Sequence, residues 1–169
     1  MNQHNQSEKA LLLEDLTLLY PDIKLDNLQA VEKQSSHEHC MLCGTQPLLG
    51  LHLHFFSTAD QLVWARAKGT SHQQGYQGIL HGGFLSALLD SGMCQALFQQ
   101  KIEAVTADMS IRYLHEVPVN SEILIKGKIV SSHRPLYKVE GELYVQGKLV
   151  VKSSARFMTK GFGKKKAIV

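Results

Sequence analysis

The residues best suited to chemistry lie at the start and in the middle of one apolar segment. The segment opens with His-Gly-Gly at 81–83 and runs through mostly apolar residues to Phe98, which predicts a helix buried on nearly every side. A helix start presents free N–H groups and the positive end of the helix dipole, and glycine lets a bound oxygen approach the backbone closely. We therefore expect Gly82 and Gly83 to bind an oxygen that gains negative charge. The alternative is that the two glycines serve only the packing of a tight turn.

Asp90 is a carboxylate inside this apolar segment, where desolvation is costly unless the group is paired or used. It is the candidate general base or nucleophile. The alternatives are a buried carboxylate with satisfied hydrogen bonds, or a point where the helix faces solvent. Gly82 and Asp90 are eight residues apart, which is roughly 12 Å along a helix. One helix therefore cannot easily supply both groups to one site, and a second subunit would have to contribute one of them.

The elements around this helix, which is predicted over about 82–99, are strands. Alternating apolar and polar residues predict strands over 51–55, 62–67, 105–113, 123–129, 137–145 and 149–158. In the third of these strands, Thr106 falls on the polar face and Val105 on the apolar one. A sheet with one apolar face is most simply covered by the one apolar helix, so we expect an α+β fold in which a curved antiparallel sheet wraps around that helix.

The N-terminal part of the chain predicts helices. Residues 7–20 form an amphipathic pattern with Ser7 as N-cap and Pro21 as its stop, and a weaker helical pattern follows around 25–34. We expect this part to pack on the main domain, the alternative being a helix that binds a partner. The predicted organisation is an N-terminal helical extension over 1–39, a main domain over 40–160 and a basic C-terminal tail over 161–169.

Composition narrows the class of protein. A chain of 169 residues with 44% hydrophobic residues and a net charge of +3 fits one globular domain, and its scattered Lys and Arg residues do not favour nucleic-acid binding. No apolar stretch is long enough to span a membrane, and the polar N-terminus does not read as a secretory signal. Three cysteines do not form a disulfide framework. We therefore expect a cytoplasmic protein.

A Cys-x-x-Cys sequence, Cys40 and Cys43, has His37 and His39 just before it. This spacing could bind zinc, which takes thiolate and imidazole ligands. The alternative is a turn with small buried thiols. No second Cys-x-x-Cys is present, and the two histidines would lie on one side of a strand, so we expect no metal here. A redox role is also disfavoured, because no thioredoxin-like strand precedes the motif.

The order of motifs resembles a known family. The chain carries His81-Gly82-Gly83, Ala87, Asp90, Thr106, Tyr113 and Pro118, preceded by Cys40-x-x-Cys43-Gly44. Over roughly 40–158 this pattern resembles the hotdog-fold acyl-CoA thioesterases, in the branch related to the phenylacetate-pathway (PaaI-like) thioesterases. The resemblance implies a six-stranded antiparallel sheet around a central helix, with strand order 1-2-4-5-6-3. It also implies a homodimer or homotetramer with active sites at the subunit interface.

The resemblance implies hydrolysis of acyl-CoA to a free acid and CoA. Asp90 would then act as base or nucleophile, and the N–H groups of Gly82 and Gly83 would bind the oxyanion. His81 would hold the loop or help to position the carbonyl. Thr106 matches a position where related enzymes carry a hydroxyl near the scissile bond, so it would position water or substrate, unless it is an ordinary strand residue.

Three further residues are candidates for substrate binding. Arg134 could contact the phosphates of CoA, and Ser91 follows the candidate base. In some related enzymes a glutamine before the His-Gly-Gly motif contacts the thioester, and Gln77 or the nearby Gln74 could correspond to it. No cofactor is expected. The acyl group that the protein prefers does not follow from the sequence. The alternative function is a non-catalytic hotdog module that binds or senses acyl-CoA, although a mere binder has little need of Asp90.

Overall fold

The computed structural model describes residues 3–24 and 27–159, so the predicted basic tail over 161–169 lies outside the described residues. Two helices are present in this part of the chain, α1 (Gln3–Thr17) and α2 (Gly82–Gln99). The strands are β1 (Gln29–Ala30), β2 (Phe55–Ser57), β3 (Val63–Lys68), β4 (Ala104–Tyr113), β5 (Glu122–His133), β6 (Leu136–Val145) and β7 (Lys148–Thr159). Short 3-10 turns occupy Ser35–His37 and Ser71–Gln73.

All strands belong to one antiparallel sheet with the order β1-β2-β3-β5-β6-β7-β4. If the two-residue strand β1 is set aside, the remaining six strands follow the expected order 1-2-4-5-6-3. The α+β hotdog fold is therefore confirmed, with one short strand more than predicted. The strand β4 lies at the edge of the sheet opposite β1, and within the described residues it pairs only with β7.

The main core lies between α2 and the inner face of the sheet. In β3, Val63 and Ala65 belong to this core, whereas Trp64 between them faces the other side, as the two-residue period of a strand requires. The helix approaches β5 so closely that a Cβ atom added to Gly127 would lie 2.2 Å from the carbonyl oxygen of Gly92. Glycine at this contact lets α2 lie directly on the sheet.

The helix α1 covers part of the outer face of the sheet. Leu12 and Leu16 are buried there in a second cluster that includes Trp64. The Arg66 guanidinium adds a hydrogen bond to Asp15 of α1 at 2.7 Å. The N-terminal helix is thus packed on the sheet, as expected for an amphipathic segment.

Three local predictions are wrong. Helix α1 begins at Gln3, so Ser7 lies inside it and is not its N-cap. The weak helical pattern around 25–34 is not a helix where the structure describes it, because Gln29 and Ala30 pair with β2. The first predicted strand starts later than expected, at Phe55, because His52 has a left-handed backbone (φ 49°) that no strand accommodates. Among the described helices, none has the length and hydropathy needed to cross a membrane.

Candidate active site

The N-terminus of α2 is capped by the side chain of His81. Its Nδ1 accepts a hydrogen bond from the N–H of Gly83 at 2.8 Å, so the Gly83 N–H is already used within the chain. The N–H of Gly82, the first helical residue, donates to no other group in the part of the chain that is described. The helix start therefore offers the Gly82 N–H as a donor for an external oxygen, together with the positive end of the helix dipole.

Two hydroxyl groups fix the peptide that follows this donor. Ser86 Oγ lies 2.8 Å and Tyr113 Oη 3.0 Å from the carbonyl oxygen of Gly82, and the two hydroxyls are 2.7 Å apart. The three oxygens therefore form one hydrogen-bonded cluster, in which the hydroxyls bond to the carbonyl and to each other. A groove of about 300 Å³ opens here between the helix start and residues 113–117. Sequence reasoning gave no role to Ser86 or Tyr113, because only the folded chain brings the end of β4 to the helix start.

Asp90 lies on α2 and is half-buried. The Thr106 hydroxyl donates to its Oδ1 at 2.6 Å, a short, charge-assisted bond. Burial, and after it the charge of Asp90, raises the pKa of the nearby Cys94 thiol to about 12. Cys94 therefore stays a neutral thiol at physiological pH.

A β-bulge aims Thr106 at the helix. The pairing of β4 with β7 shifts register between Thr106 and Asp108. Met109 and Ile111 beyond the shift pack against the core, and Thr106 before it points to the same side, toward α2. The prediction that Thr106 lies on the polar face opposite the core is therefore wrong, because an inserted residue reverses the alternation.

The two halves of the candidate chemistry lie at opposite ends of β4. Thr106, near the first residues of the strand, contacts Asp90, whereas Tyr113, its last residue, contacts Gly82. This agrees with the separation of roughly 12 Å expected along the helix. Within one chain, Asp90 and Gly82 therefore lie at two separate positions along β4.

The predicted substrate-binding residues are spread more widely. Arg134 is exposed in the turn between β5 and β6. Its neighbour Pro135 accepts a hydrogen bond from the N–H of Thr159, and Thr159 pairs with Ala104 at the start of β4. Arg134 thus lies at the same end of the sheet as Thr106. Gln77 is exposed in the loop before α2, and Ser91 is buried inside the helix.

The cysteine motif forms a compact cluster. The ligand atoms of His37, Cys40 and Cys43 all lie within 4.8 Å of one another, whereas His39 is exposed. The expectation that His37 and His39 share one side of a strand is wrong, because Ser35–His37 is a 3-10 turn. Burial, and after it the neighbouring Cys40, raises the pKa of the Cys43 thiol to about 12.

Comparison with known proteins finds one matching family model, over less than half of this chain. Residues 77–152 match the family model described as "Thioesterase superfamily". Over 89 residues the chain is 29% identical to acyl-coenzyme A thioesterase THEM4 of Rattus norvegicus, an alignment that covers 52% of this chain and 34% of the rat protein. The chain thus spans about a third of the length of that curated relative.

Solved structures share the fold. A hypothetical thioesterase protein of Streptococcus pneumoniae TIGR4, solved with coenzyme A, is 26% identical with a TM-score of 0.57, over 59% of this chain and 82% of that one. The phenylacetic acid degradation protein PaaI of Thermus thermophilus is 22% identical with a TM-score of 0.59, over 64% of this chain and 94% of that one. The second likeness shows the fold alone.

Proposed function

We propose that this chain, whose residues 77–152 match the thioesterase superfamily model, is a member of that family and hydrolyses acyl-CoA thioesters to a free acid and CoA. The observation that carries the proposal is the pair of Asp90 and Thr106 on the helix side of an edge strand, together with an unused N–H at Gly82. These are the base and the oxyanion donor that thioester hydrolysis needs. The name of the rat relative and the coenzyme A in the pneumococcal structure indicate the substrate class.

The Gly82 N–H is the oxyanion donor in this proposal. His81 occupies the neighbouring Gly83 N–H, and the hydroxyls of Ser86 and Tyr113 hold the Gly82 carbonyl. The donor therefore has a fixed direction before substrate binds, which is what makes a hydrogen bond to a developing oxyanion effective.

Asp90 acts as general base or as nucleophile. Thr106 engages Oδ1, which leaves Oδ2 for a water molecule or for direct attack on the thioester carbon. The pneumococcal protein offers a parallel, because its structures include one variant with an aspartate and one with a threonine replaced by alanine. Those two positions are 16 residues apart, the same separation as between Asp90 and Thr106.

Each active site is shared between two copies of the chain. The free edge of β4 carries exposed apolar side chains, with Val105 55%, Tyr113 51% and Leu114 41% accessible. A second copy paired along this edge about a two-fold axis covers them, and it brings the Thr106 end of one β4 next to the Tyr113 end of the other. Asp90 of one subunit then faces Gly82 of its partner.

The reaction follows from this arrangement. The substrate carbonyl accepts a hydrogen bond from Gly82, and Asp90 takes a proton from water as the water oxygen attacks the carbonyl carbon. The tetrahedral intermediate places its negative charge at the Gly82 N–H. It then collapses, the carbon–sulfur bond breaks, and protonated Asp90 returns its proton to the CoA thiolate. In the nucleophilic variant, the Asp90 carboxylate attacks the carbonyl carbon, the carbon–sulfur bond breaks and CoA leaves as the thiolate. Water then hydrolyses the resulting anhydride to the free acid and the Asp90 carboxylate, and the proton released from water neutralises the thiolate.

The three remaining candidates, Arg134, Gln77 and Ser91, have different roles in this proposal. Arg134 lies at the Thr106 end of the sheet, where its guanidinium can reach phosphate groups. Gln77 is exposed before the helix start and is proposed to contact the thioester region. Ser91 is buried within α2, so we assign it only an indirect influence on Asp90.

A thiol-release assay with a panel of acyl-CoAs tests the proposal. The wild-type protein should release CoA from at least one member of the panel, and Asp90→Asn, which keeps the acceptor for Thr106, should not. Tight binding of acyl-CoA without any release of thiol would instead establish the alternative, a non-catalytic binding or sensing module. Full activity in Asp90→Asn would remove Asp90 from the mechanism.

A further inference from the structure

A second cluster of reactive side chains lies outside the thioesterase site, in the segment that leads from the N-terminal extension to β2. The Sγ of Cys43 is 3.7 Å from the Nδ1 of His37. The Sγ of Cys40, the Sγ of Cys43 and a ring nitrogen of His37 all lie within 4.8 Å of one another. None of these groups takes part in the proposed hydrolysis. Two sulfurs and an imidazole nitrogen gathered at one point are the donor set of a soft or borderline metal ion.

The spacing of these atoms fits a tetrahedral zinc site. With Zn–S near 2.3 Å and Zn–N near 2.05 Å, tetrahedral angles place a sulfur and a nitrogen about 3.6 Å apart and two sulfurs about 3.8 Å apart. The observed distance of 3.7 Å between Cys43 and His37 meets the first value. The Cys40 sulfur needs to move by no more than about 1 Å to meet the second.

We propose that His37, Cys40 and Cys43 bind one zinc-class divalent cation. The sequence motif by itself favoured a turn with free thiols, because the two histidines were expected to share one side of a strand. The 3-10 turn over Ser35–His37 instead turns His37 toward the cysteines and leaves His39 exposed, so three of the four candidate ligands converge.

The surroundings hold these ligands in place. After Cys43 the chain turns so tightly that the Gly44 N–H donates to the Cys40 carbonyl at 2.8 Å, and a Cβ atom at Gly44 would lie 2.5 Å from that oxygen. Gln95 of α2, whose side chain is buried, donates from Nε2 to the Cys43 sulfur at 3.3 Å. An N–H donor to a ligand sulfur is a typical outer contact of a metal site, where it stabilises thiolate charge.

The imidazole is also fixed. The ring of His37 packs edge-on against Phe98 of α2, with ring centroids 4.6 Å apart. The cluster is therefore anchored to the central helix twice, through Phe98 and through Gln95. A bound ion would fasten residues 37–43 to the helix that carries the proposed base, so metal removal should lower the thermal stability of the domain.

The fourth coordination position faces a cleft of about 290 Å³ lined by His37, Cys43 and Gln95 among others. No fourth protein donor belongs to the cluster among the described residues. Water from the cleft therefore completes the tetrahedron, which gives three protein ligands and one exchangeable position.

Metal analysis of the full chain tests this proposal. The reduced protein, stripped with a chelator and then titrated with Zn²⁺ against a colorimetric competitor, should bind one equivalent. Gln95→Leu should weaken binding about 10-fold, in line with the cost of losing an outer contact at a metal site. Cys40→Ser, which removes a direct thiolate ligand, should weaken binding more than Gln95→Leu does. Substitution with Co²⁺ should give thiolate-to-cobalt charge-transfer absorption, which requires direct sulfur ligation.

Matched variants distinguish this site from adventitious binding. His37→Asn should lose the high-affinity equivalent, whereas His39→Asn, two residues away and outside the cluster, should keep it. Cys94→Ala, which removes a buried thiol that is not a ligand, should also keep it. Equal Zn²⁺ affinity in wild type, Cys40→Ser and His37→Asn would overturn the proposal. The proposal would also be overturned if the purified protein had a mass two hydrogens below that of the fully reduced chain and no titratable thiol at Cys40 and Cys43. The two cysteines would then form a disulfide. The cobalt spectrum is measured on wild type, so the test does not depend on any variant folding.

Discussion

Replacing Gly82 by proline removes the proposed oxyanion donor with little cost to the fold. Gly82 is the first residue of α2, the helical position at which proline is favoured because its N–H has no partner within the helix. The preceding residue, His81, has φ −66° and ψ 135°, which is the conformation that a following proline requires. The substitution therefore replaces the N–H by the Cδ of the proline ring, so an oxyanion can no longer bind there, and it leaves the helix start intact.

The expected loss follows from the single donor that disappears. Removal of one preorganised oxyanion donor costs about 2.7–4 kcal/mol of transition-state stabilisation, or about 10²–10³ in kcat. The Ser86 and Tyr113 hydroxyls hold the Gly82 carbonyl, not the substrate, so they do not replace the lost donor. Steady-state thiol release at saturating acyl-CoA measures kcat, and KM should change much less, because the bond strengthens mainly in the transition state.

Gly82→Ala is the matched control. It introduces the same Cβ contact, 3.3 Å from the ring of Tyr113, but keeps the N–H. That ring is 51% accessible and can shift by the few tenths of an ångström required. The alanine variant should therefore retain most of its kcat. If both variants melt at the same temperature and also share the same kcat, the Gly82 N–H is not the oxyanion donor.

Three further outcomes follow from the structure. Thr106→Ser should keep most of the activity. Thr106→Val has the same shape but no donor, and it should lose about 10–100-fold in kcat because it removes a hydrogen bond of about 1.5–3 kcal/mol to a charged group. Equal kcat values for the two variants would mean that this bond has no part in catalysis. Single turnover in H₂¹⁸O should place the label only in the product acid if Asp90 is the base, whereas label recovered in Asp90 by peptide mass analysis would identify it as the nucleophile. Burial alone would raise the pKa of Glu142, but hydrogen bonds from Lys126 and Tyr144 hold this pKa below its ordinary value. The Glu142 carboxylate therefore stabilises the fold at pH values above its unfolded pKa. That stability is lost as the pH falls through the folded pKa. Urea unfolding followed from about pH 5 down to pH 3 should therefore show a smaller loss of stability in Glu142→Gln than in wild type, and parallel curves would contradict the ion pair.

Periodicity was enough to predict the central elements. The apolar run after His81 predicted α2 almost to the residue, and strict alternation along β5 and β6 placed their inner faces correctly. These patterns predict the elements correctly because the helix and one face of the sheet must bury each other. An apolar residue is therefore needed at every second position of a strand and at every third or fourth position of the helix.

The errors arise where one residue breaks the repeat. The bulge between Thr106 and Asp108 moves Thr106 to the helix side, and the left-handed His52 delays β2 until Phe55. Neither is visible in the alternation of apolar residues, because an inserted residue or a positive φ depends on contacts made by the folded chain.

The candidate site was only half visible in the sequence. Asp90 is recognisable in the sequence as a carboxylate within an apolar segment, and Gly82 as a glycine at the predicted start of a helix. The contact of Tyr113 with Ser86 joins residues that are distant in the sequence. The convergence of His37 on Cys43 depends on a turn whose shape the motif does not fix. Such contacts need tertiary structure, since no periodic pattern specifies them.

The central claim, an active site shared by Asp90 of one subunit and Gly82 of its partner, is tested most directly with mixed oligomers. Asp90→Asn and Gly82→Pro, each inactive alone, are co-expressed with different affinity tags, and dimers that carry both tags are purified. One of the two sites in each mixed dimer is then intact, so about half of the wild-type activity should return. In the converse pair, wild type joined to a chain with both substitutions, each site carries one defect and activity should be lost. An inactive first pair together with a half-active second pair would show that each chain builds its own site, and would contradict the account.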